Sequence, residues 1–447
     1  MPILKDKIKN DKLERQDIDR KVANAAMNPT ESEAQEVRKI IAAISDDFKT
    51  ELSESGFTRA ITERIKKSIA LRCGELDVDY ETKKRIEILS IANITGLGPI
   101  QPYMDDESVT EVIVQRYDNI CIERKGLIEK ADASFMNEEH LRTTINRIVQ
   151  PIGRQINLQS PMVDARLEDG SRVNATIPPA TPDGATLTIR KFSKKALTGE
   201  DYLKFGSLDE RMLVFLARCV QCKTSIIVSG GTTAGKTTLL NMLSGYIPKD
   251  ELIVTIEDDC ELQLNQPNVR RMEACATLDN GSAKITVQSL VKNALRMRPD
   301  RIIVGEIRDK TIVDMMSAMS TGHEGSMCTV HASSPSSLVN VRMPILYKMA
   351  GDDFSESAQA MQISEAIKLI VQLNRTKEGK RVITHITHVK GLDDNGRVEL
   401  HDIYCYDEKK KRFYATGYIP KDILQQLDKN NIRFKSEMFQ EVGDIHE

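Results

Sequence analysis

The chain contains no tryptophan, and aromatic residues make up only 4 % of its 447 residues. Proteins that hold bases or sugars by stacking need aromatic rings on their surface, so stacking is not expected to be a main activity here. Basic and acidic residues nearly balance, with 63 against 66 and a formal net charge of −3. The chain therefore lacks the basic excess of a dedicated nucleic-acid binder. We expect no direct nucleic-acid partner.

Long apolar runs are also missing. No run approaches the roughly 18–20 residues that a membrane-spanning helix needs, and the first residues do not have the pattern of a secretory signal. The sequence therefore predicts a cytoplasmic protein without a transmembrane segment. Eight cysteines are ordinary usage for this length. The single close pair, Cys219 and Cys222, has no second pair at zinc-site spacing and lies in an amphipathic segment, which favours structural thiols.

The chain divides into regions of different character. Residues 1–95 are charge-dense, with apolar residues at helical spacing, and predict a helical N-terminal extension. Residues 96–192 contain short alternating segments between turn residues, which predict a small α/β domain. Residues 193–206 are predicted to be a linker. Residues 207–447 begin with a mostly parallel α/β pattern and end in a predicted antiparallel appendage.

The last region has distinct strand-like segments. The parallel strands are predicted at 225–228, 252–256, 302–304 and 327–330, and the antiparallel strands at 369–373, 382–389 and 398–406. The run Ser207-Leu208-Asp209-Glu210 has the pattern of a capping box that opens a helix over 212–220.

One motif decides the class of ligand. The run Gly230-Gly231-Thr232-Thr233-Ala234-Gly235-Lys236-Thr237 matches G-x-x-x-x-G-K-[ST], and Thr238 continues it into a helix-like segment. An apolar strand-like run precedes the motif, as a phosphate-binding loop requires. Backbone N–H groups of such a loop surround phosphate oxygens. Lys236 would reach the β- and γ-phosphates, and the Thr237 hydroxyl would bind Mg²⁺. We therefore expect an ATP site at residues 230–238.

Hydrolysis also requires a carboxylate near the metal and the attacking water. Glu306 ends an apolar segment in the manner of a Walker B acid, although Gly305 stands where many P-loop enzymes have aspartate. Glu257 ends another such segment and is followed by Asp258 and Asp259, for which a turn or loop cap is an equal alternative. Since strand ends meet at the ligand crevice of an open sheet, we expect the two clusters to lie together.

Two of the seven histidines, His323 and His331, lie within nine residues around a glycine-rich turn. Because no further ligand cluster is nearby, a sensor of the γ-phosphate or of water is more economical than a His/Glu metal site. Isolated histidines are more often structural, so this interpretation depends on the P-loop.

In this order, the motifs resemble those of the secretion and pilus traffic ATPases, and most closely the CpaF-type (Tad/Flp pilus) branch of the type II/IV secretion superfamily. The resemblance rests on the P-loop and on the segments 160–166, 169–174, 187–191, 254–258, 293–306, 321–326 and 329–332. The paired CxxC insertion of some type II relatives is missing.

The resemblance implies an α/β fold, in which a RecA-like P-loop ATPase domain follows a small α/β N-terminal domain and a helical extension. It implies that Glu257, Glu306 and Thr237 hold Mg²⁺ or polarise water, with Glu306 favoured as the catalytic carboxylate, and that Lys236, His323 and His331 assist. Arg172 and Arg190 would reach the terminal phosphates, with surface ion pairs as the alternative.

The resemblance also implies that this chain is a homo-hexameric ATPase, peripheral at the cytoplasmic face of the inner membrane and docked on a platform protein. It would power pilus assembly or secretion by ATP-driven domain motion. One alternative is a conjugative type IV secretion ATPase that aids DNA or effector export. Another is a nucleotide-switched assembly scaffold with little turnover. A RecA-like nucleic-acid translocase is disfavoured by the pI near 6.3 and by the few aromatic residues.

Overall fold

The computed structural model describes residues 29–55, 58–124, 126–192, 196–275, 284–351 and 355–440. The first 28 residues of the predicted extension, and residues 193–195 of the predicted linker, lie outside these ranges. The chain divides into two compact units, Met1–Lys194 and Lys195–Glu447. In the described ranges, no helix is both long enough and apolar enough to cross a membrane.

The first unit begins with helices. They are Glu31–Asp47, Lys49–Ser55, Arg59–Gly74 and Tyr80–Thr95. Thr30 and Glu33 form a capping box at the start of the first helix, and the Asp79 side chain caps the last. Isoleucines at helical spacing, such as Ile40, Ile44, Ile65 and Ile69, form the buried core between these helices.

An antiparallel sheet follows in the same unit. Its strands are β1 (Val109–Arg116), β2 (Asn119–Arg124), β3 (Leu127–Lys130), β4 (Met162–Arg166), β5 (Arg172–Thr176) and β6 (Thr186–Arg190), in the order β3-β2-β1-β6-β5-β4. The helices are Gln101–Asp105 and Glu138–Val149. Alternate residues such as Val112, Val173 and Leu187 point into one core, and the residues between them face outward.

The second unit is built on a nine-stranded sheet. Its strands are β7 (Ile226–Gly230), β8 (Ile253–Glu257), β9 (Val269–Glu273), β10 (Arg301–Ile307), β11 (Met327–His331), β12 (Leu369–Arg375), β13 (Arg381–Leu392), β14 (Val398–Asp407) and β15 (Arg412–Ala415), in the order β15-β14-β13-β12-β7-β11-β10-β8-β9. Every residue of β7 and β8 is buried, because helices cover both faces of the parallel part.

The helices of the second unit are Gly199–Lys204, Glu210–Gln221, Lys236–Ser244, Val287–Ala294, Thr311–Ser320, Pro335–Ser337, Met343–Met349, Glu356–Ala366 and Lys421–Lys429, with a π-helical turn at Leu338–Arg342. The first of these lies within the range expected to be a linker. A capping box of Thr198 and Asp201 starts it, and Tyr202 is buried in the core of the unit.

Two sequence predictions need correction, and one strand was not predicted. The strand at 369–373, expected to be part of an antiparallel appendage, pairs parallel with β7 and joins the main sheet; only its other edge is antiparallel. The helix over 212–220 begins at Glu210, and its cap is Asp209, whose carboxylate accepts from the N–H of Met212. Strand β9 was not predicted, because its polar residues are largely exposed at the sheet edge.

Candidate nucleotide site

The P-loop connects the central strand β7 to the helix Lys236–Ser244. Gly230 is needed for close approach, because a Cβ there would lie 2.6 Å from the carbonyl oxygen of Leu373 on β12. Gly235 has φ +95°, a left-handed conformation that favours glycine. Gly235 also stands at the N-cap and offers no side chain to the first N–H groups of the helix. Those groups are therefore free of a side-chain cap at the point where a phosphate would bind.

Lys236 and His331 meet above the loop. The Lys236 ammonium donates to the carbonyl oxygen of Gly231 at 3.2 Å and lies 3.3 Å from Nδ1 of His331. An ammonium has only donors, so Nδ1 accepts and the imidazole proton lies on Nε2, which is 3.3 Å from the hydroxyl of Thr232. Burial, followed by the charge of Lys236, lowers the pKa of His331 below its ordinary value. The ring is therefore held neutral, as an acceptor for Lys236.

The sheet register explains why these residues meet. His331 pairs with Gly230 at the carboxyl end of the neighbouring parallel strands β11 and β7. On the next strand, β10, the pairing with β11 skips a residue between Val304 and Ile307. This bulge contains Gly305 and Glu306, and bulges next to functional sites redirect a side chain. The Thr329 hydroxyl stabilises it by donating to the carbonyl oxygen of Gly305 at 2.6 Å.

Glu306 forms an ion pair with Arg308, whose guanidinium lies 2.7 Å from its carboxylate. Burial opposes ionisation of Glu306, but the Arg308 hydrogen bond and charge, together with the charge of Lys236, lower its pKa below the ordinary value. Glu306 is therefore an anion beside the P-loop lysine. Arg308 was not predicted as a site residue, because a charged residue just beyond a strand has no distinguishing spacing.

Glu257 is buried at the end of β8, with 2 % of its surface exposed. Its Oε2 accepts from the N–H groups of Glu261 at 2.8 Å and Leu262 at 3.0 Å. Its Oε1 is buried and has no hydrogen-bond partner among the described residues. Burial raises the pKa of Glu257 to about 7, against the two backbone hydrogen bonds, which lower it.

Asp258, the residue after Glu257, is exposed and lies near the charges of Arg308 and Glu306. The two predicted acidic clusters are thus neighbours at the carboxyl ends of two adjacent parallel strands, since Val304 of β10 pairs with Ile256 of β8.

His323 does not join this group, contrary to its predicted role as a sensor at the nucleotide. It precedes β11, and its carbonyl accepts from the Ser326 hydroxyl at 2.7 Å at the start of that strand. His331 ends the same strand. The length of β11 therefore separates the two histidines, which lie at opposite ends of this strand. The two histidines are close in the sequence, but an extended strand lies between them. Their sequence spacing alone therefore did not reveal the distance between them.

Arg172 and Arg190 lie side by side in the first unit. They are directly opposed on β5 and β6, and Arg166 on β4 is opposed to Arg172. Opposed residues of antiparallel strands project from the same face. Arg190 is next to Glu111 of β1; burial, then Glu123, raises the pKa of Glu111, and Arg190 opposes this. The result is a row of three arginines. Arg166 lies in the segment 160–166 that contributes to the resemblance, but it was not predicted as a site residue.

The residues at the P-loop edge fit a nucleotide and its metal. Among the residues that the structure describes, no side chain caps the helix N-terminus, and no atom lies within 4 Å of a Cβ built at Gly231. The Thr237 hydroxyl and the carboxylates of Glu257 and Glu306 are oxygen donors of the kind that Mg²⁺ prefers. Oε1 of Glu257, which has no hydrogen-bond partner in the described ranges, is a buried acceptor at the end of β8.

Comparison with known proteins decides the family. Residues 93–445 match the family model described as "Type II/IV secretion system protein". The chain belongs to this family. A secretion ATPase of this family has an α/β fold with a RecA-like ATPase domain, as the sequence predicted. Membership also accounts for an ATPase-type nucleotide site in the second unit.

Relatives of this secretion ATPase are named for conjugal transfer or type IV secretion. A Mycobacterium tuberculosis protein, provisionally named for conjugal transfer, is 30% identical over 335 residues, which are 74% of this chain and 94% of the relative. The type IV secretion system protein VirB11 of Bartonella henselae is 32% identical over 334 residues, covering 66% of this chain and 92% of the relative. A crystal structure of the VirB11 ATPase of the Brucella suis type IV secretion system in complex with sulphate is 27% identical, covers 67% of this chain and 97% of that chain, and gives a TM-score of 0.35. The names of the Mycobacterium tuberculosis and Bartonella henselae relatives refer to conjugal transfer and type IV secretion and not to the Tad/Flp branch.

Proposed function

We propose that this chain is a Mg²⁺-dependent ATPase that drives a secretion or pilus machine by ATP-driven domain motion. The observation that carries the proposal is the meeting of Lys236, His331 and Glu306 at the carboxyl end of the parallel strands, beside a helix N-terminus without a side-chain cap. A switch without turnover would need the loop and the lysine, but not a neutral histidine and an ionised carboxylate next to them.

Each residue at this edge has a role in the proposal. The N–H groups of residues 230–238 and the ammonium of Lys236 bind the phosphates. Thr237 and the carboxylates of Glu257 and Glu306 would hold Mg²⁺, which would neutralise phosphate charge. Glu306 is ionised and orients the attacking water as its base. Glu257 supplies a second carboxylate, and His331 accepts from Lys236 and so positions the ammonium.

The arginines of the first unit have a proposed role in turnover. Arg172 and Arg190 supply positive charge to the terminal phosphates as charge develops. Their adjacency on β5 and β6 supports this, because two directly opposed guanidinium groups can bind one anion together.

The assembly and the cargo are part of the proposal. We infer a homo-hexamer at the cytoplasmic face of the inner membrane, docked on a platform protein. Export by a conjugative or type IV system is favoured by the names of the relatives. Tad/Flp pilus assembly is the second candidate, supported by the motif resemblance in residues 160–332. Relaxase and coupling-protein genes beside the gene for this chain would support the first candidate, and pilin and platform genes would support the second.

Phosphate release by the purified chain tests the ATPase proposal. Lys236→Ala and Glu306→Gln should each abolish Mg²⁺-dependent turnover, while Glu324→Gln, a change at an exposed glutamate, should retain it. The oligomer mass should be measured in the same samples. A ring-sized species with turnover lost in both variants would support the motor. A wild type that assembles and binds ATP without turnover would instead favour the scaffold.

A further inference from the structure

Arg381, the first residue of β13, contacts the P-loop. Its Nε donates to the carbonyl oxygen of Thr233 at 3.0 Å. Its aliphatic part lies over Gly235, since a Cβ built there would come within 3.4 Å of Cδ of Arg381. One side chain from the antiparallel part of the sheet therefore touches two residues of the loop.

Thr233 is the residue of the loop that most needs such a contact. Its φ is +58°, in the left-handed region that β-branched residues rarely occupy. A conformation of this kind persists only when its surroundings hold it in place. The Thr233 hydroxyl donates to the carbonyl oxygen of Thr232 at 2.7 Å, and Arg381 holds the following carbonyl.

The direction of that carbonyl matters for an anion. A phosphate-binding loop must turn its N–H groups toward the anion and its carbonyl oxygens away, because a carbonyl dipole repels the phosphate. The Nε–H of Arg381 holds the Thr233 carbonyl oxygen toward the hairpin that carries Arg381. The contact therefore selects the loop conformation that binds phosphate.

The position of Arg381 is itself fixed by the sheet. Leu373 of β12 pairs with Gly230 of β7, and Arg375 at the end of β12 pairs with Arg381. The turn between the strands is closed by a backbone hydrogen bond from Thr376 to Lys380 at 2.8 Å. The hairpin that carries Arg381 is thus hydrogen-bonded directly to the strand that enters the P-loop.

We propose that Arg381 is a positioning residue that holds the P-loop in its phosphate-binding conformation. The proposal rests on the proposed function of this loop, since it assumes that the loop binds ATP. Arg381 acts through Thr233 and Gly235 and is not a catalytic residue.

The test compares Arg381→Ala and Arg381→Lys with Arg397→Ala, an exposed arginine in the turn between β13 and β14. Binding of ATP with Mg²⁺ is measured by titration calorimetry, and amide hydrogen exchange of residues 231–238 is measured in the full chain without nucleotide. Arg381→Ala should weaken ATP binding about fivefold and speed exchange in the loop, because one hydrogen bond to a strained segment is lost. Turnover at saturating ATP should change less than about twofold. Arg381→Lys keeps one donor and should recover part of the affinity.

The two proposals fail differently. If the wild type binds ATP without hydrolysing it, the ATPase proposal is wrong, while binding and exchange still test Arg381. Unchanged affinity and unchanged exchange in Arg381→Ala would overturn the positioning role. A loss of turnover at saturating ATP with unchanged affinity would also overturn it, since Arg381 would then act on the chemical step.

Discussion

The side chain of Glu257 lies against Gly305 on the neighbouring strand, so closely that a Cβ on Gly305 would come within 3.0 Å of Cγ of Glu257. This contact explains why the Walker B position that often holds aspartate is glycine in this chain. The buried Glu257 occupies the space that an aspartate side chain would need, and brings its own carboxylate to that place.

Restoring the common aspartate should therefore be harmful. Gly305→Asp forces a Cβ into Glu257 and adds a second carboxylate beside a buried one, so we expect a loss of about 1–3 kcal/mol of unfolding free energy. Urea denaturation of the nucleotide-free chain measures this. Gly74→Ala is the control, because nothing lies within 4 Å of a Cβ at Gly74. Equal stability of the Gly305→Asp variant and the wild type would show that Glu257 can move aside.

Arg308 should set the pH range of turnover. Its hydrogen bond and charge lower the pKa of Glu306 against the effect of burial, so Arg308→Gln should raise that pKa. If Glu306 must be ionised for turnover, the acid limb of the pH–rate profile then moves to higher pH. Arg308→Lys keeps the charge and should move the limb less. An unshifted acid limb in Arg308→Gln would remove Glu306 as the titrating base.

Glu257 should make stability depend on pH. Its folded-state pKa of about 7 exceeds the ordinary value of 4.5, so its favourable contribution is complete below the unfolded value and is lost as pH rises through about 7. Glutamine carries no charge at this position. The wild type should therefore lose up to about 3 kcal/mol relative to Glu257→Gln between about pH 5 and pH 8. Thermal unfolding without nucleotide measures the difference, with Glu324→Gln as the exposed control; parallel pH curves would contradict the prediction.

The two histidines should behave differently. His331→Ala removes the acceptor that positions Lys236, so ATP binding should weaken about fivefold. His323→Ala changes a residue that precedes β11, at the end of that strand away from His331. The affinity of the chain for ATP should therefore change less than about twofold. Titration calorimetry with Mg²⁺ and ATP compares them. A similar loss of affinity in both variants would mean that the distance along β11 does not separate their effects.

Much of the parallel core could be predicted from the sequence. The P-loop between an apolar run and a helix predicts β7 and its position, and the apolar runs 252–256, 302–304 and 327–330 predict the neighbours of β7. These strands are buried on both faces, so apolar composition alone identifies them. The convergence of Glu257 and Glu306 follows from the common direction of parallel strands.

Other features depend on pairing, which a single sequence does not display. The bulge at Gly305 and Glu306 and the row of Arg166, Arg172 and Arg190 are properties of register. The contact of Arg381 with Thr233 joins residues 148 positions apart. His323 shows the opposite error, because closeness in the sequence suggested a shared site that the extended strand does not allow.

The strands from β15 to β9 are hydrogen-bonded into one sheet, and this limits how far the domain can be shortened. A fragment ending after β12 would retain Lys236, Glu257, Glu306 and His331, and so every side chain of the P-loop edge. It would nevertheless expose the unpaired edge of β12, which invites aggregation, and it would lack Arg381. The smallest useful version of this domain is therefore set by sheet edges and not by the span of its motifs.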